Sequence, residues 1–322
     1  AVPTNGEWGD TMNHSMPGSR SLFPMVVVIL NWNLAWDTIA CVESVQAGGP
    51  GGVEIIVVDN GSTDDSWALL HDHLGDGVTL LATGENLGFA GGVNVGIERA
   101  RTEGARSVLL LNNDTVVAPD MIQHLALAAS QLPEAGIVGP IIYYHGQPDL
   151  VWRFGDREVR GLPVPVKLSD QVISEAAGVP FPADYVTACG MLVRREVFDV
   201  IGLFDTDYFF YFEDADFCRR ARLAGFEIWC APQAKMWHKV SLSAQKAKPG
   251  TRYAESWGRA HFYQTHPHGF SRVLTFAYLL SKLAVTTVRD VVHKDTDLIK
   301  PMWAGFIDGQ RGRTSRVSRF FS

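Results

Sequence analysis

The sequence predicts an α/β fold in which a doubly wound, mixed sheet is flanked by helices and followed by a helical C-terminal extension. Short apolar runs rich in β-branched residues alternate with helical stretches in the first half of the chain. This alternation is typical of βαβ units with right-handed crossovers. In addition, the apolar run at residues 108–111 ends abruptly in Asn112-Asn113-Asp114. Because open α/β sheets bind ligands beyond the carboxyl ends of their strands, this end predicts a ligand site.

The elements of the first half follow one another regularly. The predicted strands are residues 25–30, 53–58, 78–82 and 107–111, and the predicted helices are residues 35–47, 64–74, 88–100 and 119–131. The last strand is continuously apolar, which indicates a strand that is buried on both faces. Asp114 also precedes a helical stretch, so a helix cap is the alternative role for its carboxylate.

From about residue 136 the rhythm changes. Residues 137–143, 149–154 and 226–230 are predicted strands, residues 163–182 a loop-rich segment, and residues 191–200 and 213–223 helices. Gly225 is the expected C-terminal stop of the second helix. We expect this half to complete the sheet and to build the second wall of a cleft.

The last fifty residues are predicted to be helical. Residues 270–292 are strongly apolar, with Arg272, Lys282, Arg289 and His293 interleaved, and the end of the chain is basic. Basic amphipathic helices bind anionic membranes at their surface. The alternative is a helical hairpin that packs on its own domain or on the mate in a homodimer.

Composition and charge exclude several classes of protein. The 322 residues include 28 basic and 35 acidic side chains, and this net charge of −7 argues against a nucleic-acid-binding protein. The four cysteines show neither metal-binding nor disulfide-scaffold spacing, which favours a reducing compartment. Residues 1–22 are polar, lack the apolar core of a signal peptide and are predicted to be a disordered arm or an expression remnant. No run of about 18 apolar residues predicts a spanning helix.

Asp59 ends the second predicted strand, at the same edge of the sheet as Asp114. There its carboxylate can accept hydrogen bonds from a base or a ribose. Asn60-Gly61 forms a tight turn, and Ser62 or Thr63 is the expected cap of the next helix. Turn and cap chemistry alone explains the residues after Asp59 but leaves Asp59 itself unexplained.

Several glycines follow the third predicted strand, in the segment Glu85-Asn86-Leu87-Gly88-Phe89-Ala90-Gly91-Gly92. Glycines at the start of a helix let backbone N–H groups approach a phosphate or a sugar closely. The spacing matches neither a P-loop nor the usual dinucleotide-binding fingerprint. By itself, this segment is a weak indication of function.

A second acidic cluster, Glu213-Asp214, opens a predicted helix after an aromatic run at residues 208–212. A carboxyl group beside another carboxylate and apolar rings has its pKa raised towards that of a useful base. The alternative is complementation of the helix dipole. Asp216 and Arg220 lie one turn apart and are expected to pair with each other. His238, in an apolar context, is by itself more typical of a satisfied core histidine.

Taken in order, these motifs resemble those of the family 2 glycosyltransferases. The resemblance is carried by Leu30-Asn31-Trp32-Asn33, residues 59–64, residues 85–90, Asn112-Asn113-Asp114, residues 188–195, residues 202–205, residues 212–216 and Trp237-His238. Within the family, the chain most resembles bacterial rhamnosyltransferases and galactofuranosyltransferase-like enzymes of surface polysaccharide synthesis. The resemblance covers about residues 24–240.

The resemblance implies a GT-A fold over residues 23–240, with a nucleotide-binding half to about residue 135 and an acceptor half from about residue 136. Residues 241–322 then form a separate helical region. The resemblance also implies a nucleoside-diphosphate-sugar donor, a divalent ion (Mn²⁺ or Mg²⁺) and an inverting mechanism.

Residue roles follow from the same resemblance. It assigns Asn31 and Asp59 to the base and ribose, Asn86, Gly88, Asn112 and Asn113 to the donor site, Asp114 and His238 to the metal, Asp214 to the catalytic base, and Glu213 to the sugar or acceptor. The chain departs from the family at one point, because the family motif often has two carboxylates and only Asp114 remains here. We therefore expect modest metal affinity, with the cation arriving largely with the diphosphate.

These implications predict transfer of L-rhamnose from dTDP-rhamnose to a glycan or a lipid-linked glycan, in the cytoplasm or peripherally on the inner face of the membrane. A galactofuranosyl or other hexosyl transferase is the nearest alternative. A sugar nucleotidyltransferase shares the sheet and the acidic site, but such enzymes usually have a Gly-rich basic loop where this chain has Leu30-Asn31-Trp32-Asn33. A non-catalytic glycan-binding protein is a third alternative.

Overall fold

The computed structural model describes residues 22–48, 53–159, 162–166, 173, 176–240, 248–266, 272–313 and 315–320. The predicted N-terminal arm up to residue 21 lies outside these residues, as does much of the predicted loop at residues 163–182. Leu22 is buried and belongs to the core.

The centre of the protein is a ten-stranded mixed sheet. Its strands are β1 (Met25–Asn31), β2 (Val53–Asp59), β3 (Val78–Ala82), β4 (Ser107–Asn112), β5 (Thr115–Val117), β6 (Ala135–Tyr144), β7 (Gln147–Arg153), β10 (Phe181–Ala183), β11 (Gly190–Arg194) and β12 (Glu227–His238), while β8 (Arg157–Val159) and β9 (Leu162–Val166) form a separate hairpin. The strand order is β10-β12-β6-β11-β4-β1-β2-β3, with β5 paired to β12 and β7 to β6. Strands β1 to β4 are parallel, whereas β11 is antiparallel to both of its neighbours.

Helices cover both faces of this sheet. They are α1 (Ala35–Gly48), α2 (Ser66–His73), α3 (Gly88–Thr102), α4 (Met121–Gln131), α5 (Arg195–Ile201) and α6 (Glu213–Leu223). Alternate residues of β1 pack on opposite sides, Met25 and Val27 with α1, α2 and α4, and Val26 and Val28 with α3, α5 and α6. This alternation follows from the two-residue period of a strand, and it confirms the predicted doubly wound class.

One predicted helix of the second half is wrong in its first part. The predicted helix at residues 191–200 is a strand over its first part, since Gly190–Arg194 is buried between β4 and β6 and only Arg195–Ile201 is helical. Periodicity does not distinguish a strand from a helix in so short an apolar run. The predicted loop at residues 163–182 contains strand residues at both ends, in β9 and β10.

The predicted caps also differ from the structure. Neither Ser62 nor Thr63 caps α2, because the carboxylate of Asp64 accepts a hydrogen bond from the Ser66 N–H at 3.0 Å. Asp114 does not cap α4 either, since that helix begins at Met121 and the short strand β5 intervenes. The helix-cap alternative for Asp114 is therefore excluded.

The C-terminal helices form a separate apolar cluster. Helices α7 (Pro249–Thr265), α8 (Arg272–Val292) and α9 (Ile299–Gln310) pack together and against the aromatic run that precedes α6. Gly258 of α7 lies against this run, where an added Cβ would approach the Tyr211 carbonyl oxygen to 2.8 Å. Among the described residues, no helix is long and apolar enough to cross a membrane.

Candidate active site

Three polar residues lie side by side where neighbouring parallel strands end. Asn31 of β1 is in register with Asp59 of β2, and Leu30 is in register with Asn112 of β4. The carboxyl ends of these strands therefore form one edge of the sheet. This is the position at which α/β sheets bind ligands.

Asn31 supports the loops at this edge. Its side chain is fully buried, accepts a hydrogen bond from the Thr38 hydroxyl at 2.8 Å and donates one to the Ser62 hydroxyl at 3.1 Å. Ser62 also accepts a hydrogen bond from the Asn33 N–H at 3.0 Å. A direct contact between Asn31 and a nucleotide base stays a prediction, because Thr38 and Ser62 are its polar partners here.

Asp59 and its neighbour Asn60 organise the turn after β2. One oxygen of Asp59 accepts a hydrogen bond from the Ser62 N–H at 3.0 Å. The Asn60 amide donates to the side-chain oxygen of Asn86 at 3.2 Å and to the carbonyl oxygen of Gly88 at 3.0 Å. Asn86 in turn accepts from the Gly88 N–H at 2.9 Å. The loops after β2 and β3 are thus held together as one wall.

Gly88 brings the aromatic run onto this wall. It has a φ of +73°, and an added Cβ would lie 2.4 Å from the Phe209 carbonyl oxygen. The neighbouring Phe89 N–H donates a hydrogen bond to the same oxygen at 2.6 Å. Only glycine combines this φ with so close an approach, so Gly88 positions the segment that leads to Glu213.

Asp114 and His238 form a pair at the far side of the edge. The strand β5, which the sequence analysis missed, pairs with the end of β12 and sets Thr115 opposite His238. This pairing leaves the Asp114 carboxylate 3.0 Å from Nε2 of His238, with both side chains almost buried. Trp152 packs edge-on against the imidazole, and Nδ1 of His238 is buried without a hydrogen-bond partner among the described residues.

This pair fits two ligands of one divalent ion. Around an ion with octahedral coordination and bonds of about 2.0–2.1 Å, adjacent ligand atoms lie about 2.9 Å apart. This is close to the 3.0 Å between the Asp114 carboxylate and Nε2 of His238. The described residues contain no cluster of three or more histidine, cysteine, aspartate or glutamate side chains that could hold a metal. The remaining ligands would have to be waters and diphosphate oxygens, which is how Mg²⁺ is commonly bound.

Asp214 lies at the start of α6 among hydrogen-bond donors. The Tyr185 hydroxyl donates to its Oδ2 at 2.6 Å, the Ala188 N–H donates to the same oxygen at 3.3 Å, and the Ala215 N–H donates to its Oδ1 at 2.8 Å. Such donors stabilise an ionised carboxylate. Its side chain is partly exposed, so Asp214 combines charge with access to a substrate.

Glu213, one residue earlier, has the opposite environment. Its side chain is buried, and Oε2 has no hydrogen-bond partner among the described residues. Burial raises the pKa of Glu213 well above its ordinary value, and the negative charge of Asp214 raises it further. Glu213 therefore favours the neutral form.

Both carboxylate sites border on one short segment, residues 188–190. The Ala188 N–H binds Asp214, and the Cys189 carbonyl oxygen accepts a hydrogen bond from the Asn112 N–H at 3.0 Å, two residues before Asp114. Burial raises the pKa of the Cys189 thiol, and the negative charges of Asp114 and Asp214 both add to the effect. The two acidic positions, a hundred residues apart in sequence, are thus brought to one region of the protein.

Asp216 and Arg220 pair as expected, at 2.7 Å, and Asp216 also binds His266 at 2.7 Å. Burial opposes the charged form of Asp216, but the hydrogen bonds from His266 and Arg220 outweigh it and lower its pKa. The contact between Asp216 and His266 joins the start of α6 to the end of α7. Its role is structural, and it leaves Asp214 as the accessible carboxylate of the helix.

Comparison with known proteins identifies the family. The family model "Glycosyl transferase family 2" matches residues 26–202, which is more than half of the chain. The chain belongs to glycosyl transferase family 2. The resemblance inferred from the motifs is therefore confirmed.

Individual relatives of this glycosyltransferase agree with that assignment. It is 32% identical over 210 residues to an N-acetylglucosaminyl-diphospho-decaprenol L-rhamnosyltransferase of Mycobacterium tuberculosis, covering 59% of this chain and 68% of the relative. It is 25% identical over 317 residues to the low-salt glycan biosynthesis hexosyltransferase Agl10 of Haloferax volcanii, covering 91% and 93%. The mannosyltransferase PcManGT from Pyrobaculum calidifontis, solved with GDP-Man and Mn²⁺, has a TM-score of 0.56 at 15% identity, covering 95% of this chain and 93% of that one. This likeness confirms the predicted fold class.

Sequence reasoning on this glycosyltransferase missed one residue that contacts the predicted base. Tyr185 lies three residues before Ala188-Cys189-Gly190, outside all the motifs that carry the family resemblance. Its neighbour Arg153 lies with its guanidinium 5.5 Å from the Tyr185 ring centre and pairs with Asp156 at 3.0 Å. Arg153 ends β7, Asp156 directly precedes β8, and Tyr185 lies in the segment before β11. No spacing in the sequence links them to Asp214.

Replacing Tyr185 by phenylalanine is expected to lower kcat by about ten-fold. The hydroxyl donates to Oδ2 of Asp214 and orients the carboxylate, so its loss leaves the base less well positioned, while the ring keeps its packing. The measurement is kcat at a fixed pH. Tyr253→Phe is the matched control, because Tyr253 donates to Asp308 at 3.0 Å in the C-terminal helices. An unchanged kcat in Tyr185→Phe would contradict this role.

Glu213→Gln is expected to stabilise the protein at neutral pH. The pKa of Glu213 in the folded protein lies above its ordinary value near 4.5. The wild type therefore loses stability as the pH rises from the ordinary pKa towards the raised one, because the unfolded chain releases this proton first. The glutamine variant has no such proton and does not lose this stability. We expect a melting temperature higher by about 2 °C or more at pH 7.5, with no difference near pH 4. Glu43→Gln, on the exposed surface of α1, is the control for thermal unfolding. A variant of equal or lower stability at pH 7.5 would contradict the inference.

Proposed function

We propose that this enzyme is an inverting, metal-dependent glycosyltransferase that moves L-rhamnose from dTDP-rhamnose to a lipid-linked glycan. The observation that carries the proposal is the convergence of Asp214 and the Asp114–His238 pair on the segment at residues 188–190. Inversion requires a base on one side of the anomeric carbon and the leaving diphosphate on the other. The two carboxylate sites supply one group for each side.

In this proposal, Asp214 is the base that removes the proton from the acceptor hydroxyl. The donors around it, from Tyr185, Ala188 and Ala215, orient the carboxylate. Proton removal by a positioned carboxylate is a general-base contribution of about 10²–10⁴ in rate. Glu213, in its neutral form, can donate a hydrogen bond to a sugar or acceptor oxygen.

Asp114 and His238 would hold the divalent ion together with the diphosphate of the donor. When bound, the ion supplies positive charge that stabilises the negative charge developing on the leaving group. One carboxylate, of Asp114, and one imidazole, of His238, fit a metal site whose remaining ligands come from the diphosphate of the sugar donor. Mn²⁺ in the complex of the mannosyltransferase PcManGT supports this choice of ion.

The nucleoside would bind along the edge formed by β1, β2 and β4. The oxygen Oδ2 of Asp59 makes no hydrogen bond to a described residue and is the acceptor we assign to the ribose. Asn86 and Gly88 line the same edge, and Asn112 and Asn113 continue it towards Asp114. These donor contacts are proposals that rest on the family motif and on this shared edge.

The sugar and the acceptor are proposed from the relatives. The mycobacterial relative is an L-rhamnosyltransferase whose named acceptor carries a diphospho-decaprenol, which supports a lipid-linked acceptor and a peripheral position on the membrane. The haloarchaeal relative is a hexosyltransferase of glycan biosynthesis, so transfer of another hexose is the second candidate. Incubation with a panel of nucleotide sugars, followed by assay of the released nucleoside diphosphate, distinguishes the two.

Asp214→Asn is expected to abolish transfer in this assay and to leave nucleotide binding unchanged. The amide keeps the shape of the side chain but cannot take up the acceptor proton, so a loss of at least about 10²-fold in kcat is expected. Nucleotide affinity is measured by calorimetry. Asp207→Asn, in the exposed part of the preceding loop, is the control. Transfer by Asp214→Asn at a near wild-type rate would rule out the base assignment.

Asp114→Ala is expected to remove the metal dependence of donor binding. In the wild type, calorimetry with the nucleoside diphosphate should show tighter binding with Mn²⁺ or Mg²⁺ than with a chelator. The matched control is Asp120→Ala, because Asp120 also pairs with a histidine, His124, at 3.3 Å, but on the exposed surface of α4. The metal site would be contradicted if the wild type bound the nucleoside diphosphate equally well with and without the ion. It would also be contradicted if Asp114→Ala and the wild type bound the nucleoside diphosphate equally well in the presence of the ion.

A further inference from the structure

A cationic cleft lies between α7 and α8, beside the site described above. Its charged lining consists of Arg252, Glu255 and Arg259 from α7 and Lys282 from α8, and Leu279, Leu283, Met302 and Phe306 form its apolar floor. Three cations face two carboxylates, Glu255 in the lining and the buried Asp290 beside Arg252, so the local net charge is about +1 at neutral pH. The cleft therefore attracts a negatively charged ligand.

Carboxylates neutralise these three cations only in part. Arg252 pairs with the buried Asp290 at 2.9 Å, and its Nε is buried without a hydrogen-bond partner among the described residues. Arg259 pairs with Glu255 at 2.7 Å, and the Glu255 side chain is 41% exposed, so it can turn away towards solvent. The Lys282 ammonium has no described carboxylate within ion-pair distance and lies 5.7 Å from the centre of the Tyr278 ring.

The cleft is continuous with the segment that carries the proposed base. The Arg259 guanidinium lies 5.7 Å from the centre of the Phe212 ring, and Phe212 immediately precedes Glu213. Burial raises the pKa of Tyr211, and the negative charges of Glu255 in the cleft and of Glu213 both add to the effect. Through Arg259, the cleft therefore borders on the residue two positions before Asp214.

The other side of α8 is an exposed apolar face. Its most exposed apolar side chains are Val273 (76%), Val285 (69%), Val288 (63%) and Val292 (70%). Lys282 and Val285 lie three residues apart and are neighbours on the helix surface. A helix that lies in the interface of a membrane through this face holds the cleft at the level of the lipid head groups.

We propose that the cleft binds the diphosphate of an isoprenoid-linked acceptor, while the apolar face of α8 lies in the membrane that contains the isoprenoid chain. This inference rests on the proposed function for the identity of the acceptor sugar, but not for binding of the lipid. A diphosphate esterified at both ends carries two negative charges, which match the two cations, Arg259 and Lys282, that no buried carboxylate of the described residues neutralises. The guanidinium of Arg259 and the ammonium of Lys282 are charge-assisted donors to phosphate oxygens.

The binding test uses the full chain and three kinds of vesicle, without any sugar donor. The vesicles are neutral phosphatidylcholine alone, phosphatidylcholine with a small fraction of polyprenyl diphosphate, and phosphatidylcholine with phosphatidylglycerol of equal total charge. Binding is measured by co-flotation at moderate ionic strength. The wild type is expected to bind the polyprenyl diphosphate vesicles about ten-fold more tightly than the phosphatidylglycerol vesicles.

Three variants separate the two parts of the proposal. The double variant with Arg259→Gln and Lys282→Gln should lose the preference for the diphosphate lipid. The single variant Lys282→Gln should also lose this preference, and it serves if the double variant is unstable. Val285→Ser with Val288→Ser should weaken binding to all vesicles. The matched control is Arg99→Gln on α3, because Arg99 pairs with Glu103 at i,i+4 as Arg259 pairs with Glu255. This control should bind like the wild type.

Several outcomes would overturn the proposal. Equal binding to both anionic vesicles would mean a general attraction to negative membranes. A second outcome is a wild type that binds none of the vesicles and is a dimer, while the variant with Val285→Ser and Val288→Ser is a monomer. This result would mean that the apolar face of α8 binds a second copy of the chain. A failed sugar transfer assay together with the expected lipid preference would refute only the proposed reaction, since the flotation test needs no donor.

Discussion

The antiparallel pairing of β11 with β4 is the constraint on which the site depends. The carboxyl end of β4 and the amino end of β11 meet at the same edge of the sheet, with Gly190 opposite Leu111. If all the neighbouring strands were parallel, only the carboxyl ends of strands would lie at this edge. Through the reversed strand, the segment before β11 reaches both Asn112 and Asp214. The proposed metal position and the proposed base are close because of this one strand.

The environments of Glu213 and Asp214 show how a single helix start can hold two carboxyl groups in different surroundings. Tyr211 and Phe212, just before them, both have positive φ, at 69° and 75°. Non-glycine residues adopt this region at a cost, and the packing of α7 against them holds it in place. The turn buries Glu213, whose Oε2 has no hydrogen-bond partner among the described residues, and leaves Asp214 among hydrogen-bond donors. Two adjacent residues thereby provide a buried carboxyl group with a raised pKa and a partly exposed, hydrogen-bonded carboxylate.

The C-terminal helices belong to this arrangement although the family model ends at residue 202. Gly258 of α7 packs against Tyr211, and His266 at its end binds Asp216. Both contacts fix the start of α6, which carries Asp214. The cationic cleft and the exposed face of α8 lie on the same helices. The region that positions the base is therefore also the region that we assign to the lipid of the acceptor.

The sequence by itself determined the alternation of strands and helices and the polar ends of β1, β2 and β4, since both follow from local composition and period. It also determined the family, through motifs that lie at Asp59, Gly88, Asp114 and Asp214. Only the tertiary structure decided that Gly190–Arg194 is a strand, because its apolar residues fit a helix or a strand until β4 and β6 pair with it. The tertiary structure alone also brought Tyr185 to Asp214 and placed Arg259 and Lys282 in the lining of one cleft. These arrangements join separate elements of the chain, and no local pattern encodes them.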